Sequence, residues 1–153
     1  MLLKLTELLK HNRSNHYQLL VIVDNSRSPQ NIIKVLEKQG WKACNVNHAI
    51  LRLMGDIPPD KLKLRIADNI KKWVLSLPDK VVFYNVNILY SPDLGKMTPI
   101  GAFKYRSRNK ELVIILEGQL VGNRLIYSEP GRPDYSEMDV EELICVRRED
   151  IDV

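Results

Sequence analysis

The stretch that decides the fold runs from Tyr17 to Gly40 and reads YQLLVIVDNSRSPQNIIKVLEKQG. Its apolar run, Leu19 to Val23, has strand length and no polar interruption, which is typical of a strand buried on both faces of a parallel sheet. A short polar turn follows, and Ser28-Pro29 then gives a helix-start signal, with serine as N-cap and proline at the first helical position. Because Gly40 provides a helix stop, the stretch predicts a strand, a tight turn and a helix.

The rest of the chain repeats this alternation. Three more segments have helical spacing of apolar residues: residues 2–11, 49–54 and 60–77. Four more segments have the composition of strands: residues 42–47, 81–84, 112–116 and 125–127. A weakly helical segment leads to about residue 105, and a last apolar element covers residues 143–146. The pattern predicts an α/β three-layer sandwich around a mainly parallel five-stranded sheet, with ligands expected where the strands end.

Length and composition set broad limits. The 153 residues predict one domain, residues 1–153, which includes the N-terminal helix 2–11. A formal net charge of +4 is compatible with a nucleic acid nearby but is far from a strong basic footprint. Cys44 and Cys145 lie far apart, so neither a disulfide framework nor a metal site is expected. No apolar run reaches the roughly 20 residues that span a bilayer, and we expect a cytoplasmic protein without membrane contact.

The turn after the first strand is where P-loop ATPases hold nucleotide. Such a turn needs glycines whose N–H groups face the phosphates, a lysine that reaches them, and a Ser or Thr hydroxyl for Mg²⁺. Here the turn consists of Asp24, Asn25, Ser26, Arg27 and Ser28. Asp24 places an anion at the mouth, and Pro29 removes one N–H from the helix N-terminus that normally binds anions. The stretch therefore predicts a P-loop NTPase-like core, of the ASCE/AAA-like kind, without an intact P-loop.

The end of the third strand also lacks residues that an ATPase needs. It reads Phe83-Tyr84-Asn85-Val86-Asn87, with no Asp or Glu before Asp93. Amides neither hold Mg²⁺ with a full charge nor act as general bases. Since two separate positions lack their charged groups together, the sequence favours a non-catalytic chain with no cofactor and no catalytic residue.

Two surfaces are candidates for contacts with partners. Arg106, Arg108 and Asn109 precede the fourth strand, where ring ATPases and helicases often place functional arginines. The turn-rich loop from Tyr127 to Tyr135 also carries Glu129 and Arg132, and loops rich in Tyr and Arg often contact partners. A solvated strand entry and a rigid turn, respectively, are the structural alternatives.

A third surface lies on the long helix. Lys61, Arg65 and Lys72 form its outer stripe and are candidates for contacts with DNA phosphates. Asp68 lies at pairing distance from Arg65 and Lys72, so a solvated face is the alternative.

Three segments resemble the small P-loop-containing subunit, BrxF, of BREX phage-defence systems. In order they read FYNVNILYSPDL, YRSRNKELVII and RLIYSEPGRPDY, and a weaker match extends back to Leu19. The family's strand-end Asp aligns with Tyr84 and its following Glu with Asn87, while its glycine-lysine loop aligns with Asp24 to Ser28. The resemblance thus implies an accessory subunit of an assembly that distinguishes self from phage DNA by methylation.

Three functions remain open on the sequence. The first is a non-catalytic interaction subunit of a BREX-type complex, with other defence proteins, such as the methyltransferase or the phosphatase-like protein, as partners. The second is a nucleotide-dependent module that a partner or a homo-oligomer completes in trans, with Arg108 as an arginine finger. The third is a DNA-binding accessory protein, whose binding would weaken steeply with salt. Its candidate residues are Lys61, Arg65, Lys72, Arg106 and Arg108.

Overall fold

The computed structural model describes residues 2–26 and 29–153. Its strands are Leu3–Lys4 (β1), Leu19–Val23 (β2), Lys42–Asn45 (β3), Lys80–Tyr84 (β4), Glu111–Leu116 (β5), Gln119–Val121 (β6), Arg124–Tyr127 (β7), Ser136–Asp139 (β8), Ile144–Arg147 (β9) and Ile151–Asp152 (β10). Its α-helices are Leu5–Arg13 (α1), Gln30–Lys38 (α2), Val46–Gly55 (α3), Leu62–Leu75 (α4) and Pro99–Phe103 (α5). Short 3₁₀ turns, among them Asn87–Tyr90 and Lys104–Arg108, connect these elements.

The centre of the molecule is a five-stranded sheet in the order β3-β4-β5-β2-β9, with every neighbouring pair parallel. Successive side chains of a strand point to opposite faces, so the apolar run of β2 supplies both. Leu20 and Ile22 pack in one core with α1 and α2, and Leu19 and Val21 pack in the other with α3, α4 and α5. The predicted α/β fold with a five-stranded parallel sheet is confirmed, and helices on both faces are consistent with three layers.

One predicted strand is present but belongs to another sheet. Residues 125–127 do not join the main sheet: β7 lies in a three-stranded antiparallel sheet, in the order β6-β7-β8. The turn at Gly122, where φ is +58°, folds β7 back on β6 as a hairpin. Only Leu125 of this strand is buried, so it suits a sheet with one covered face. The fifth parallel strand is β9, which covers the last predicted apolar element.

The N-terminal helix begins three residues later than predicted. Leu3 and Lys4 pair in parallel with Ile151 and Asp152, which ties the two ends of the described chain together. The helix then runs from Leu5 to Arg13 and buries its leucines against the α2 side of the sheet.

The start of α2 also differs from the prediction. Pro29 occupies the N-cap position and the helix begins at Gln30. The predicted serine cap, Ser28, and its neighbour Arg27 lie outside the described residues. The predicted stop is confirmed at Gly40, where φ is +89°. Within residues 2–26 and 29–153, no helix is long and apolar enough to cross a bilayer.

Candidate functional site

The carboxyl ends of β2, β4 and β5 meet around a cavity of about 230 Å³. The polar residues that line it are Asp24, Tyr84, Asn85, Asn87 and Glu117. This is the edge at which parallel α/β sheets bind their ligands. The predicted turn and the predicted strand end thus come together at one site.

Asn25, the residue after Asp24, pairs with a peptide group of the chain. Its Nδ2 donates to the Gly118 carbonyl oxygen at 2.9 Å, and its Oδ1 accepts from the Gly118 N–H, also at 2.9 Å. A side-chain amide has one donor and one acceptor side by side, so it matches the peptide as a neighbouring strand would. Asn25 is therefore engaged in the fold rather than available to a nucleotide.

Asn87 pairs in the same way with the peptide group of Glu117, the residue before Gly118. Its Nδ2 donates to the Glu117 carbonyl oxygen at 3.2 Å, and its Oδ1 accepts from the Glu117 N–H at 3.3 Å. Asn85 adopts a left-handed conformation with φ of +52° just after β4, which asparagine tolerates better than most residues. We call the Asn25–Gly118 and Asn87–Glu117 pairs the two asparagine clamps.

Asp24 directly precedes Asn25 and is 4% exposed. Its N–H donates to the Leu116 carbonyl oxygen at 2.8 Å, so the β2–β5 ladder continues into the turn. Its Oδ1 accepts from the N–H and the hydroxyl of Ser26, at 2.9 and 2.5 Å. Its Oδ2 is buried and has no hydrogen-bond partner among the described residues. A buried carboxylate is thus part of the cavity lining.

The predicted arginines lie at the opposite edge of the sheet. Arg106 and Arg108 belong to the 3₁₀ turn that precedes β5, whereas the cavity follows β5. A strand of this length spans about 20 Å, at about 3.3 Å a residue. Arg108 therefore does not reach the cavity of its own chain.

The arginine turn is fixed to β2 by its backbone. Ser107 is fully buried, and its carbonyl oxygen accepts from the Gln18 N–H at 2.9 Å. The Gln18 side chain donates to the carbonyl oxygen of Arg108 at 3.3 Å. Arg106 and Arg108 are therefore presented on either side of an immobile residue, and Asn109 is exposed just after them.

The loop from Tyr127 to Tyr135 lies on the small antiparallel sheet. Tyr127 stacks on the buried Tyr90 with ring centroids 3.9 Å apart, and burial raises the pKa of the Tyr90 hydroxyl above its ordinary value. Glu129 pairs with Arg132 at 3.7 Å, within the loop. The Tyr135 hydroxyl donates to Glu137 at 2.5 Å. Arg132 also lines a groove of about 490 Å³ beside Tyr90.

The helix stripe is exposed, as predicted. Lys61, Arg65 and Lys72 lie on α4 and the turn before it, and Lys72 pairs with Asp68 at 3.2 Å. The predicted DNA-binding residues are thus divided between this helix and the arginine turn before β5.

Two groups of residues were not identified from the sequence. Glu117 and Gly118 contribute peptide groups, which carry no side-chain signal. Tyr17 and Tyr105 precede strands that become neighbours only in the folded sheet.

The described part of the chain contains no cluster of three or more His, Cys, Asp or Glu residues arranged to hold a metal ion. Comparisons with protein-family models, with curated proteins and with solved structures gave no significant match.

Proposed function

We propose that this chain is a non-catalytic, P-loop-like accessory subunit that acts through protein contacts in a BREX-type bacteriophage-defence complex. The observation that carries the non-catalytic part is the pair of asparagine clamps at the cavity beyond β2. Asn25 and Asn87, two of the residues that the resemblance aligns with nucleotide-binding positions, bond the chain's own peptide groups instead.

The sheet order supports the P-loop-like part of the proposal. Among the strands of the main sheet, β2 is first along the chain, β5 fourth and β9 fifth. An ASCE/AAA-like core likewise places its first strand between its fourth and fifth strands. In such a core the turn after the first strand holds phosphate, and here the residue that follows that strand is Asp24.

The chemistry of the described lining also differs from that of a phosphate site. It contains the Asp24 carboxylate, and an anion at this position disfavours a phosphate beside it.

Calorimetric titration of the isolated protein with ATP and Mg²⁺ tests the non-catalytic role. We expect no binding heat at millimolar nucleotide. Saturable binding in the micromolar range would overturn the proposal, because it would require the clamps to open for phosphate.

Co-purification tests the accessory role. The protein is co-expressed with the methyltransferase or the phosphatase-like protein of a BREX system, and we expect a complex on size exclusion. Arg132→Ala alters the exposed Tyr127–Tyr135 loop and should weaken that complex, whereas Lys61→Ala, in the turn before α4, should not. If no complex forms with either protein, the accessory role is wrong.

A nucleotide-dependent module completed in trans is the second candidate, and one observation favours it. The Arg108 guanidinium is exposed, and its only hydrogen bond among the described residues is a long one, 3.5 Å, to the Tyr17 hydroxyl. It is thus placed to reach a neighbouring subunit. ATP binding that appears only with the partner present and disappears with Arg108→Ala would establish this candidate in place of the first.

A further inference from the structure

The amino edge of the sheet carries an exposed group of aromatic and basic side chains. Tyr17 and Tyr105 meet edge to face, with ring centroids 6.0 Å apart. The Arg108 guanidinium carbon lies 5.5 Å from the Tyr17 ring centroid, and Lys104 Nζ lies 4.7 Å from it. His16 packs against Tyr17 on a further side, with centroids 4.6 Å apart. These five residues are called the Tyr17 cluster.

The charges of this cluster are only partly compensated. Lys104 Nζ donates to Glu142 at 2.6 Å, so this cation is neutralised by a neighbour. Neither Arg106 nor Arg108 has a carboxylate partner among the described residues. Arg13, by contrast, pairs with Glu111 at 3.5 Å. The positive charges of Arg106 and Arg108 are therefore not neutralised by a described carboxylate.

The aromatic part of the cluster is divided between a covered ring and an open one. The faces of Tyr17 are taken by cations of the same cluster, whereas Tyr105 is 61% exposed. Lys104 Nζ approaches Tyr105 only to 6.0 Å. An exposed tyrosine held by a neighbouring ring loses little conformational entropy when a flat ligand stacks on it. Tyr105 is thus a preformed stacking surface beside two unpaired arginines.

We propose that the Tyr17 cluster, together with Arg106, binds single-stranded nucleic acid. A base stacks on Tyr105, and the arginines contact the phosphates on either side. Surfaces that bind single strands combine these two elements, because every base has a π-face and every nucleotide a phosphate. In a duplex the base faces are already stacked on one another, so Tyr105 has nothing to bind there. This proposal is independent of the nucleotide question at the carboxyl edge.

The size of the surface sets the expected affinity. One stacked base contributes about 1–3 kcal/mol. Two phosphate contacts give a slope of about −1.4 for the logarithm of the binding constant against that of salt, at about −0.7 per contact on single strands. Binding is therefore weak and visible mainly at low salt, as expected for a contact that a larger assembly strengthens.

Fluorescence anisotropy with a labelled oligothymidine of about 12 nucleotides tests the proposal, since this length exceeds the smallest single-strand sites. The full chain is titrated at about 50 mM and about 200 mM salt, over which phosphate-dependent affinity falls. Tyr105→Ala should weaken binding about tenfold, the effect of losing about 1.4 kcal/mol of stacking. Tyr105→Phe keeps the ring and should bind like the unaltered protein. Arg108→Ala should make the salt slope shallower by about 0.7.

The control is Lys38→Ala, which removes one exposed positive charge from α2 and should leave both affinity and slope unchanged. Thermal unfolding checks that each variant is folded, which is expected because Tyr105 and Arg108 are exposed. The proposal is overturned if no binding occurs at low salt or if Tyr105→Ala binds as well as the unaltered protein. Tighter binding to a duplex of the same length overturns it too. Each of these results leaves the proposed accessory role standing.

Discussion

The two edges of the central sheet handle their polar groups in opposite ways. At the carboxyl edge, the side-chain amides of Asn25 and Asn87 bind the peptide groups of Gly118 and Glu117, and Asp24 lines the cavity there. At the amino edge, the turn before β5 holds its backbone firmly but leaves Arg108 exposed.

The contrast shows that the position of a site in an α/β fold does not fix its use. The carboxyl edge is the usual ligand edge of such sheets, yet here the chain occupies it with its own side chains. Free cations and an open aromatic ring lie at the edge that such sheets rarely use. The four experiments that follow perturb one edge, or the sheet between them, from the largest expected effect to the smallest.

The largest effect is expected where the amino edge is anchored in the core. Phe103 is fully buried at the end of α5, and its ring stacks on Phe83 with centroids 4.1 Å apart. Phe103→Ala should lower the free energy of unfolding by about 3–5 kcal/mol, as is typical of buried Phe truncation. Denaturant titration measures this change in the free energy of unfolding. The control, Leu64→Ala, alters a leucine that is 83% exposed and should change little. A loss below 1 kcal/mol would show that the turn is not held through Phe103.

The next largest loss of stability is expected when the asparagine clamps at the carboxyl edge are removed. Asn87→Ala leaves the Glu117 N–H without its partner in a partly buried position, at a cost of about 2 kcal/mol. Asn25→Ala should cost about 1 kcal/mol or less, because water reaches its exposed site. Asn109→Ala, an exposed asparagine at the other edge, is the matched control. Equal stability of all three variants would mean that the clamps contribute nothing to the fold.

A smaller effect is expected from releasing Lys104 from its ion pair with Glu142. Its hydrogen bond to Glu142 raises the pKa of the Lys104 ammonium, so the pair's stabilisation is present below the ordinary lysine pKa and is lost as pH rises through the raised value. Glu142→Gln should abolish that alkaline loss and free a cation beside Tyr17. Since Glu142 is 67% exposed, the cost in stability is below about 1 kcal/mol. Single-strand affinity should rise about threefold, consistent with pair energies of about 0.2–1 kcal/mol. Unchanged affinity would remove Lys104 from the binding surface.

The smallest effect concerns the thiol of Cys145, on a strand that runs from the amino edge to the carboxyl edge. Cys145 is partly buried on β9, the outermost strand of the main sheet, where it lies opposite Val21, and burial raises its pKa to about 12. Because the thiolate is the reactive form, iodoacetamide should modify it slowly while β9 stays paired with β2. Mass spectrometry should find it unmodified after hours at neutral pH, and modified faster in Phe103→Ala. Rapid alkylation of the unaltered protein would show that β9 opens readily.

The local elements of the fold could be predicted because their signals are local. The run from Leu19 to Val23 predicts a buried strand from composition alone, and the spacing in α4 predicts a helix without reference to the rest of the chain. The identity of the fifth parallel strand could not be predicted in this way. Residues 125–127 and 143–146 are both short and apolar, and only the pairing of β9 with β2 distinguishes them.

The same distinction applies to the candidate sites: local residue types could be predicted, whereas contacts between distant parts of the chain could not. Asp24, Asn25 and Asn87 could be identified because charged groups are missing where nucleotide chemistry needs them. Their hydrogen bonds could not be predicted, since their partners are peptide groups, which carry no side-chain signal. The approach of Tyr17 to Tyr105 depends on β5 lying beside β2, which follows from the sheet order and not from the order of the strands along the chain.

The Asn25 clamp has a consequence for how the turn after β2 can open. It joins residues 93 positions apart in the chain, and the β2–β5 pairs from Leu19 with Leu112 to Val23 with Leu116 have the same separation. The sheet therefore already closes this long loop, and the clamp adds one exposed pair of hydrogen bonds at its end. Local opening at Asn25 breaks only those bonds, so the turn can open while the sheet stays folded.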